Sequence, residues 1–206
     1  MKNIFIMGDS YSTYKGYIPD GYGCYYSESR TEAPIVKGVE KTWWHMLVAE
    51  NNLNLLVNDS YSGATVCTSV RENHTIDVSF VKRMDKYVSE NFFTENKVDT
   101  MLVFGGTNDS WINCPIGELK FSDWTEEDLK NVLPAFCYVI SKAKGVADDV
   151  LVIINTKLKE EIVSGIIGAC EHIGVKHLVL ENIDKENGHP TELGMKQICE
   201  QVASAL

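Results

Sequence analysis

Four short polar blocks carry the residues that could do chemistry in this sequence. They are Gly8-Asp9-Ser10, Ser60-Tyr61-Ser62-Gly63, Gly105-Gly106-Thr107-Asn108-Asp109 and the segment around His189. A serine hydroxyl attacks a carbonyl group once a neighbouring base takes its proton, and histidine is the commonest such base at neutral pH. A glycine backbone N–H and an asparagine side-chain amide are donors that stabilise an oxyanion. The four blocks therefore predict acyl transfer by a serine nucleophile, provided that the fold brings them together.

Five short apolar runs predict the strands that must position these blocks. Nearly continuous apolarity is typical of strands that are covered on both faces, and the amphipathic stretches between the runs predict helices. This alternation favours a parallel sheet with helices on both faces, in which ligands bind beyond the carboxyl ends of the strands. The blocks follow the first, second, third and fifth runs. The runs are Asn3 to Met7, Leu53 to Val57, Thr100 to Phe104, Val150 to Ile154 and His177 to Leu180.

We therefore predict an α/β fold, a three-layer α/β/α sandwich around a five-stranded, parallel, flavodoxin-like sheet, formed as a single domain by residues 1–206. Capping residues and helical spacing give the helices. Trp43 and Trp44 are expected to pack in the core. The predicted helices begin after Thr42, span Phe80 to Tyr87, begin at Thr125 and continue through Leu129 and Val132, span Lys157 to Ile173 with Gly174 as the stop, and span Leu193 to Leu206.

Composition narrows the class of protein. The chain has 206 residues, 44% of them hydrophobic, and a formal net charge of −10. An acidic chain disfavours nucleic acid, whose phosphates require lysine and arginine. No apolar run approaches the roughly 18 residues of a membrane span. The first residues do not form a signal peptide, so the cytoplasm is the default location, and a secreted or periplasmic location stays open if a leader has been removed. The sequence does not indicate an oligomeric state.

Neither the cysteines nor the histidines suggest a cofactor. The six cysteines form no C-x-x-C pair and are expected to be free, buried thiols. We expect no metal, because His45, His74, His172 and His177 show no paired ligand spacing. The phosphate-binding patterns G-x-G-x-x-G and G-x-x-x-x-G-K-[ST] do not occur, and neither does the G-x-S-x-G elbow of ordinary α/β-hydrolases.

Taken in order, the four blocks resemble those of the SGNH (GDSL-type) hydrolase family, whose blocks each supply one letter: Ser, Gly, Asn and His. The G-x-N-D pattern of the third block is the most specific. The resemblance spans almost the whole chain and implies a serine esterase without a cofactor. It implies that Ser10 is the nucleophile and His189 its base. It also implies an oxyanion hole made of the backbone N–H groups of Ser10 and Gly63 and the side-chain amide of Asn108.

The sequence departs from the family at the residue that orients the histidine. The family usually has aspartate three residues before the histidine, where this chain has Glu186, and Asp184 lies two residues further back. We favour Glu186 over Asp184, because Asp184 would have to reach across two more residues with a shorter side chain. A backbone carbonyl that holds the ring in a Ser–His dyad is the third alternative.

The irregular stretch from Tyr11 to Lys41 suggests the substrate. It is rich in tyrosine and glycine, and long connections of this kind are often functional. We expect a polar-aromatic surface over Ser10 and, from it, an enzyme that releases a small acyl group, acetyl, from a carbohydrate. The alternatives are a lipase-like or thioesterase activity on fatty acyl groups, and a non-catalytic flavodoxin-like binding module. The aromatic residues proposed for this surface are Tyr17, Tyr22, Tyr25, Tyr26 and Trp111.

Overall fold

The computed structural model describes residues 1–68 and 78–206, in which five strands form a parallel sheet. The strands are β1 (Lys2–Gly8), β2 (Leu53–Ser60), β3 (Val98–Gly105), β4 (Ala147–Ile154) and β5 (Lys176–Val179). Their order is β2-β1-β3-β4-β5, which is the flavodoxin-like order. Every neighbouring pair is parallel. The predicted fold class is thus confirmed, and each predicted run overlaps one strand.

Seven helices are described in addition to three short 3₁₀ turns. They are α1 (Trp43–Glu50), α2 (Phe80–Ser89), α3 (Phe92–Glu95), α4 (Thr107–Trp111), α5 (Val132–Val146), α6 (Glu160–Ile173) and α7 (Glu192–Ala205). Alternate side chains of β1 enter two different cores, as the period of a strand requires. Ile4 and Ile6 pack with residues of α1 and α7, whereas Phe5 and Met7 pack with residues of α2, α5 and α6.

The predicted helix termini were right in two places. Gly174 ends α6 with φ of 75°, a left-handed conformation that favours glycine. Thr42 is the residue that precedes α1, although its hydroxyl donates to the Val39 carbonyl at 2.7 Å instead of capping the helix. Trp43 and Trp44, which follow it, are buried in the core as expected.

The predicted helix start at Thr125 was wrong. Thr125 and Asp128 do exchange the expected reciprocal bonds, because the Thr125 N–H donates to the Asp128 carboxylate at 2.7 Å and the Asp128 N–H donates to the Thr125 hydroxyl at 3.2 Å. These bonds close only the 3₁₀ turn Asp128–Lys130. Asn131 then adopts an extended conformation, with φ of −103° and ψ of 145°, so that α5 begins at Val132.

The cysteines differ from the prediction at one position. Five are buried, but Cys24 is exposed. His74 lies outside the described residues. Within residues 1–68 and 78–206, no helix combines the length and apolar character that would let it cross a membrane.

Candidate active site

Ser10 lies directly after β1, at the carboxyl edge of the sheet. It begins a buried 3₁₀ turn, Ser10–Ser12, in which the Asp9 carboxylate accepts a bond from the Tyr11 N–H at 3.0 Å. Burial raises the pKa of Asp9 to about 6. Gly8 pairs with Ser60 across the sheet, and a Cβ on Gly8 would lie 2.4 Å from the Ser60 hydroxyl oxygen. A larger residue before Asp9 would therefore displace the buried side chains of Ser60 and Ser12.

His189 reaches the same edge on a small hairpin outside the main sheet. The strands β6 (Lys185–Glu186) and β7 (His189–Pro190) are antiparallel. Asn187 and Gly188 connect them with φ of 49° and 79°. Two central residues with positive φ are typical of a type I′ turn, for which Asn-Gly is the preferred sequence. The dipeptide Asn187-Gly188 therefore predicts this hairpin, although the resemblance of the four blocks to the family did not depend on it.

The Ser10 hydroxyl and the His189 ring form a direct pair. The distance from Ser10 Oγ to His189 Nε2 is 2.9 Å, and the two residues are only 2% and 8% exposed. The other ring nitrogen, Nδ1, lies 3.3 Å from the backbone carbonyl of Asn187. With its proton on Nδ1, the imidazole presents a free lone pair to the serine. Burial lowers the pKa of His189 to about 4, so the ring is neutral at pH 7.

The two carboxylates considered for the orienting role lie elsewhere. Glu186 is exposed, and the Nδ1 contact goes to Asn187 instead. The Asp184 carboxylate accepts a bond from the Thr191 hydroxyl, at the start of α7. The preference for Glu186 over Asp184 therefore does not match this geometry, which corresponds to the third alternative, a backbone carbonyl. The physical reason is the tight turn, which places the Asn187 carbonyl 3.3 Å from Nδ1.

Gly63 and Asn108 come from the loops that follow β2 and β3. Gly63 has φ of 88°, and the residues on either side of it are fixed because the Ser62 N–H donates to Gly23 at 2.8 Å and the Ala64 N–H donates to Tyr61 at 3.2 Å. Asn108 is buried in α4, and its amide donates to the Ala64 carbonyl at 2.9 Å. This bond joins the loop that carries Gly63 to the helix that carries Asn108.

Asp109 is a buried anchor for the same loop. Its carboxylate accepts bonds from the backbone N–H groups of Val66, at 2.9 and 3.0 Å, and of Cys67, at 3.2 Å. Burial raises the pKa of Asp109. Its oxygen and the sulfurs of Cys67 and Cys114 lie within 4.8 Å of one another, which is the spacing of possible metal ligands. Because backbone groups already occupy the carboxylate, its chemistry here is that of a loop support.

A buried ion pair supports the ends of β1 and β2. Arg83, on α2, contacts the Asp59 carboxylate at 2.6 Å and also donates to the Gly8 carbonyl at 3.0 Å. Both side chains of the pair are almost fully buried, at 4% and 0% exposure. The arginine therefore connects two strand ends immediately before the loops that carry Ser10 and Gly63.

Lys185 fastens the His189 hairpin to the sheet. Its ammonium donates to the Asn155 side-chain oxygen at 2.7 Å and to the Thr156 hydroxyl at 2.5 Å, both of which follow β4. It also lies 5.2 Å from the centre of the Tyr11 ring. Burial lowers the pKa of Lys185 to about 8, with a smaller contribution from Lys157. The residues that follow β4 thus hold the hairpin, although little in the sequence indicated a function for them.

Only part of the predicted aromatic surface lies at Ser10 and His189. Tyr25 stacks on His189, with ring centres 3.6 Å apart, and Trp111, which is 46% exposed, lies 5.6 Å from the same ring. Tyr26 is buried and donates to the Pro190 carbonyl at 2.8 Å. Tyr17 packs on Tyr14 and Trp44, and Tyr22 packs on Tyr61. The surface beside the histidine is therefore smaller than the sequence suggested.

Comparisons with known proteins concern the chain as a whole. The profile of the family described as GDSL-like Lipase/Acylhydrolase matches residues 2–206. No curated protein gives a significant match.

Solved structures give closer likenesses. A protein from Bacteroides ovatus, described as a GDSL-like lipase, is 38% identical, with a TM-score of 0.88 and coverage of 99% of this chain and 97% of that chain. A similarly described protein from Bacteroides uniformis is 36% identical, with a TM-score of 0.90 and coverage of 100% and 95%. A carbohydrate acetylesterase family member from Sinorhizobium meliloti has a TM-score of 0.65 and coverage of 99% and 96%, but it is only 10% identical, so that likeness concerns the fold alone.

Proposed function

Because the chain belongs to the GDSL-like lipase/acylhydrolase family, we propose that it is a serine carboxylic-ester hydrolase with Ser10 as nucleophile and His189 as general base. The observation that carries this proposal is the 2.9 Å contact between Ser10 Oγ and His189 Nε2. It lies at the edge of the parallel sheet where such folds bind ligands. Membership of a hydrolase family disfavours the non-catalytic binding module.

The reaction follows from the two nitrogens of the His189 ring. Nε2 takes the proton of the Ser10 hydroxyl as its oxygen attacks the acyl carbon, and later gives this proton to the departing alcohol. In the second half, Nε2 takes a proton from water as the water oxygen attacks the acyl carbon, and it gives this proton to Ser10 Oγ as the bond from Ser10 to the acyl group breaks. The Asn187 carbonyl, 3.3 Å from Nδ1, fixes the required tautomer and accepts a bond from the imidazolium while it exists.

The oxyanion of the tetrahedral intermediate needs donors that are already in place. We assign this role to the backbone N–H groups of Ser10 and Gly63 and to the side-chain amide of Asn108. The fixed loop around Gly63 and the bond from Asn108 to Ala64 support the assignment, since donors that need not reorganise stabilise developing charge best.

For the substrate, we propose a small acyl group, acetyl, on a carbohydrate. Trp111, which is 46% exposed and lies 5.6 Å from the His189 ring, offers an aromatic face beside the reacting atoms. Small-molecule sites commonly combine such faces with a few polar groups that fix the orientation of the ligand. A lipase-like or thioesterase activity is the alternative within the same reaction class.

The nucleophile is tested by covalent labelling. The protein should react with a fluorophosphonate at Ser10, and Ser10→Ala should abolish labelling and lower kcat for ester hydrolysis by about 10⁴-fold or more. Ser12→Ala is the matched control, because Ser12 lies in the same buried turn but accepts a bond from Trp43 instead of contacting the base. Labelling that survives in Ser10→Ala would identify a different nucleophile.

The acyl group is tested by chain length. We expect kcat/KM for acetyl esters, both nitrophenyl acetate and acetylated sugars, to exceed that for octanoyl esters. Rates that are equal or higher on the long chain would favour the lipase-like alternative while leaving the serine mechanism intact.

A further inference from the structure

Among residues 1–68 and 78–206, His189 has no carboxylate partner of the kind that usually holds a catalytic imidazole. Its Nδ1 contact with the Asn187 carbonyl is 3.3 Å, which is longer than a normal N–H···O bond. The ring also belongs to a two-residue strand, which is paired only with Lys185 and Glu186. The 2.9 Å contact with Ser10 Oγ and the longer bond to Asn187 both reach the edge of the ring, so a contact against its face is needed to hold its plane.

Tyr25 supplies a contact of the right geometry. Its ring centre lies 3.6 Å from that of His189, and the two planes differ by only 7°. The neighbouring aromatic rings do not lie parallel to the imidazole: Tyr11 is tilted by 49° at 5.3 Å, and Trp111 stands at 73° at 5.6 Å. Tyr26 meets it edge-on at 76° and 6.5 Å. Tyr25 is thus the flat face against which the imidazole lies.

Tyr25 is itself held in place. Its backbone N–H donates to the Thr13 hydroxyl at 2.9 Å, and that hydroxyl donates to the Ser10 carbonyl at 3.0 Å. The guanidinium of Arg30 lies 4.0 Å from the Tyr25 ring centre and donates to the Tyr25 carbonyl at 3.3 Å. His189 already covers one face of this ring, so Arg30 must cover the other. The stack is therefore Arg30, Tyr25, His189, and it is tied to the turn that carries Ser10.

We propose that Tyr25 is a positioning residue, whose ring holds the His189 imidazole in line with Ser10 in place of the usual carboxylate. The kinetic consequences of this inference rest on the proposed esterase function, whereas the stacking contact between Tyr25 and His189 does not depend on it. In this proposal the aromatic ring of Tyr25 positions the imidazole, and the Tyr25 hydroxyl is not required. The stack also explains how His189 can serve as base while Glu186 is exposed and Asp184 bonds to Thr191.

The groups around the ring predict how it titrates. Burial, to which Tyr25 contributes by covering one face, is the main cause that lowers the pKa of His189 to about 4. The positive charges of Arg30 and Lys185 lower it further, and the Asn187 carbonyl raises it. Removal of the Tyr25 ring should expose the imidazole, so that its pKa rises towards the ordinary value of about 6.5. The base would then be protonated, and inactive, over a wider acidic range.

The test compares Tyr25→Phe with Tyr25→Leu. Tyr25→Phe keeps the ring, and its kcat should stay within about twofold of the wild-type value. Tyr25→Leu should lower kcat by about tenfold, the scale of one aromatic pair, and should move the acidic limb of the kcat/KM profile to higher pH. Tyr17→Leu is the control, because Tyr17 belongs to the same stretch but packs on Tyr14 and Trp44. It should leave the limb in place.

A second measurement does not depend on activity. The pKa of His189 can be followed by NMR of its ring, assigned by comparison with His189→Gln, and it should rise in Tyr25→Leu but not in Tyr25→Phe. An unchanged pKa and kcat in Tyr25→Leu would overturn the inference, as would a Tyr25→Phe variant as impaired as Tyr25→Leu. Ester hydrolysis that persists in Ser10→Ala would overturn the proposed function alone, since the NMR result would still decide the role of Tyr25.

Discussion

The two halves of the candidate site are held in different ways. Ser10 follows the central strand β1, whose last carbonyl, at Gly8, accepts bonds from Arg83 at 3.0 Å and from the Tyr61 N–H at 3.2 Å. His189 lies on a hairpin outside the sheet, held by side chains that come from other parts of the chain. Tyr11 donates to Gly188, Tyr26 donates to Pro190, and Lys185 reaches the end of β4.

Ser10 is thus joined to the end of a central strand, whereas His189 depends on side-chain contacts with a two-residue strand outside the sheet. The nucleophile side is part of the sheet, so damage there should appear as lost stability of the whole domain. The base side is a small appendage, so damage there should appear mainly as lost activity. Variants on the nucleophile side should therefore mainly lower the free energy of unfolding, and variants on the base side should mainly lower kcat.

The largest expected effect on the nucleophile side comes from Arg83→Met. It leaves the Asp59 carboxylate buried without its ion-pair partner, and loss of one member of a buried pair costs about 3–5 kcal/mol. The free energy of unfolding should fall by about this amount in urea denaturation. Lys82→Met, an exposed position on the same helix, should change it by less than about 0.5 kcal/mol. The double variant Arg83→Met/Asp59→Asn should recover part of the loss, and its failure to do so would argue against an electrostatic cause.

Asn108→Ala tests the side-chain amide that we assign to the oxyanion hole. We expect kcat to fall by about 100- to 1,000-fold with a smaller change in KM, because the amide is needed most when charge develops. The variant also loses the bond to Ala64, so urea unfolding must be measured alongside. Ser110→Ala, on the same short helix, should retain most activity. A change confined to KM would remove Asn108 from the oxyanion hole.

The same contrast explains which features of the structure could be predicted from the sequence. The five strands were predictable, because buried parallel strands are apolar along their length, as Ile4 to Met7 are. The helix after Thr125 was misplaced, since its capping pattern is real but closes an isolated turn. Ser10, Gly63 and Asn108 could be named because each follows a strand end.

The support of His189 could not be predicted in the same way. Tyr25 and Arg30 lie far from His189 in sequence, and a tyrosine in an irregular stretch carries no signal about which ring it will meet. In the sequence, Lys185 resembles a surface residue, but the hairpin places its ammonium 2.7 Å from the Asn155 side-chain oxygen. One clue was available, because Asn187-Gly188 is the preferred sequence of a two-residue hairpin. That turn places the Asn187 carbonyl 3.3 Å from His189 Nδ1, where the sequence had favoured a carboxylate.

Lys185→Met should have an intermediate effect and show whether the hairpin acts as an appendage. Hydrogen bonds to a charged group contribute about 1.5–3 kcal/mol. A loss of that size, seen mainly in catalysis, should lower kcat by about 10- to 150-fold. Lys157→Met is the control, because it removes a neighbouring positive charge without cutting the bonds to Asn155 and Thr156. A variant that loses stability throughout the domain but keeps its kcat would make the hairpin part of the core.

The smallest expected effect, that of Glu186→Gln, decides how the base is oriented. Glu186 stands opposite His189 in the hairpin, at the position where the family has its aspartate, yet it is exposed and the ring nitrogen contacts the Asn187 carbonyl. Removing its charge leaves that contact and the Tyr25 stack unchanged, so kcat at neutral pH should stay within about twofold of the wild-type value. Asp184→Asn should be similarly mild for kcat, since its carboxylate bonds to Thr191 and not to the ring. In serine proteases, loss of the orienting acid lowers kcat by about 10⁴-fold. A fall of that size in Glu186→Gln would mean that the carboxylate moves onto Nδ1 during the reaction, and it would replace the dyad held by Asn187 and Tyr25 with a triad.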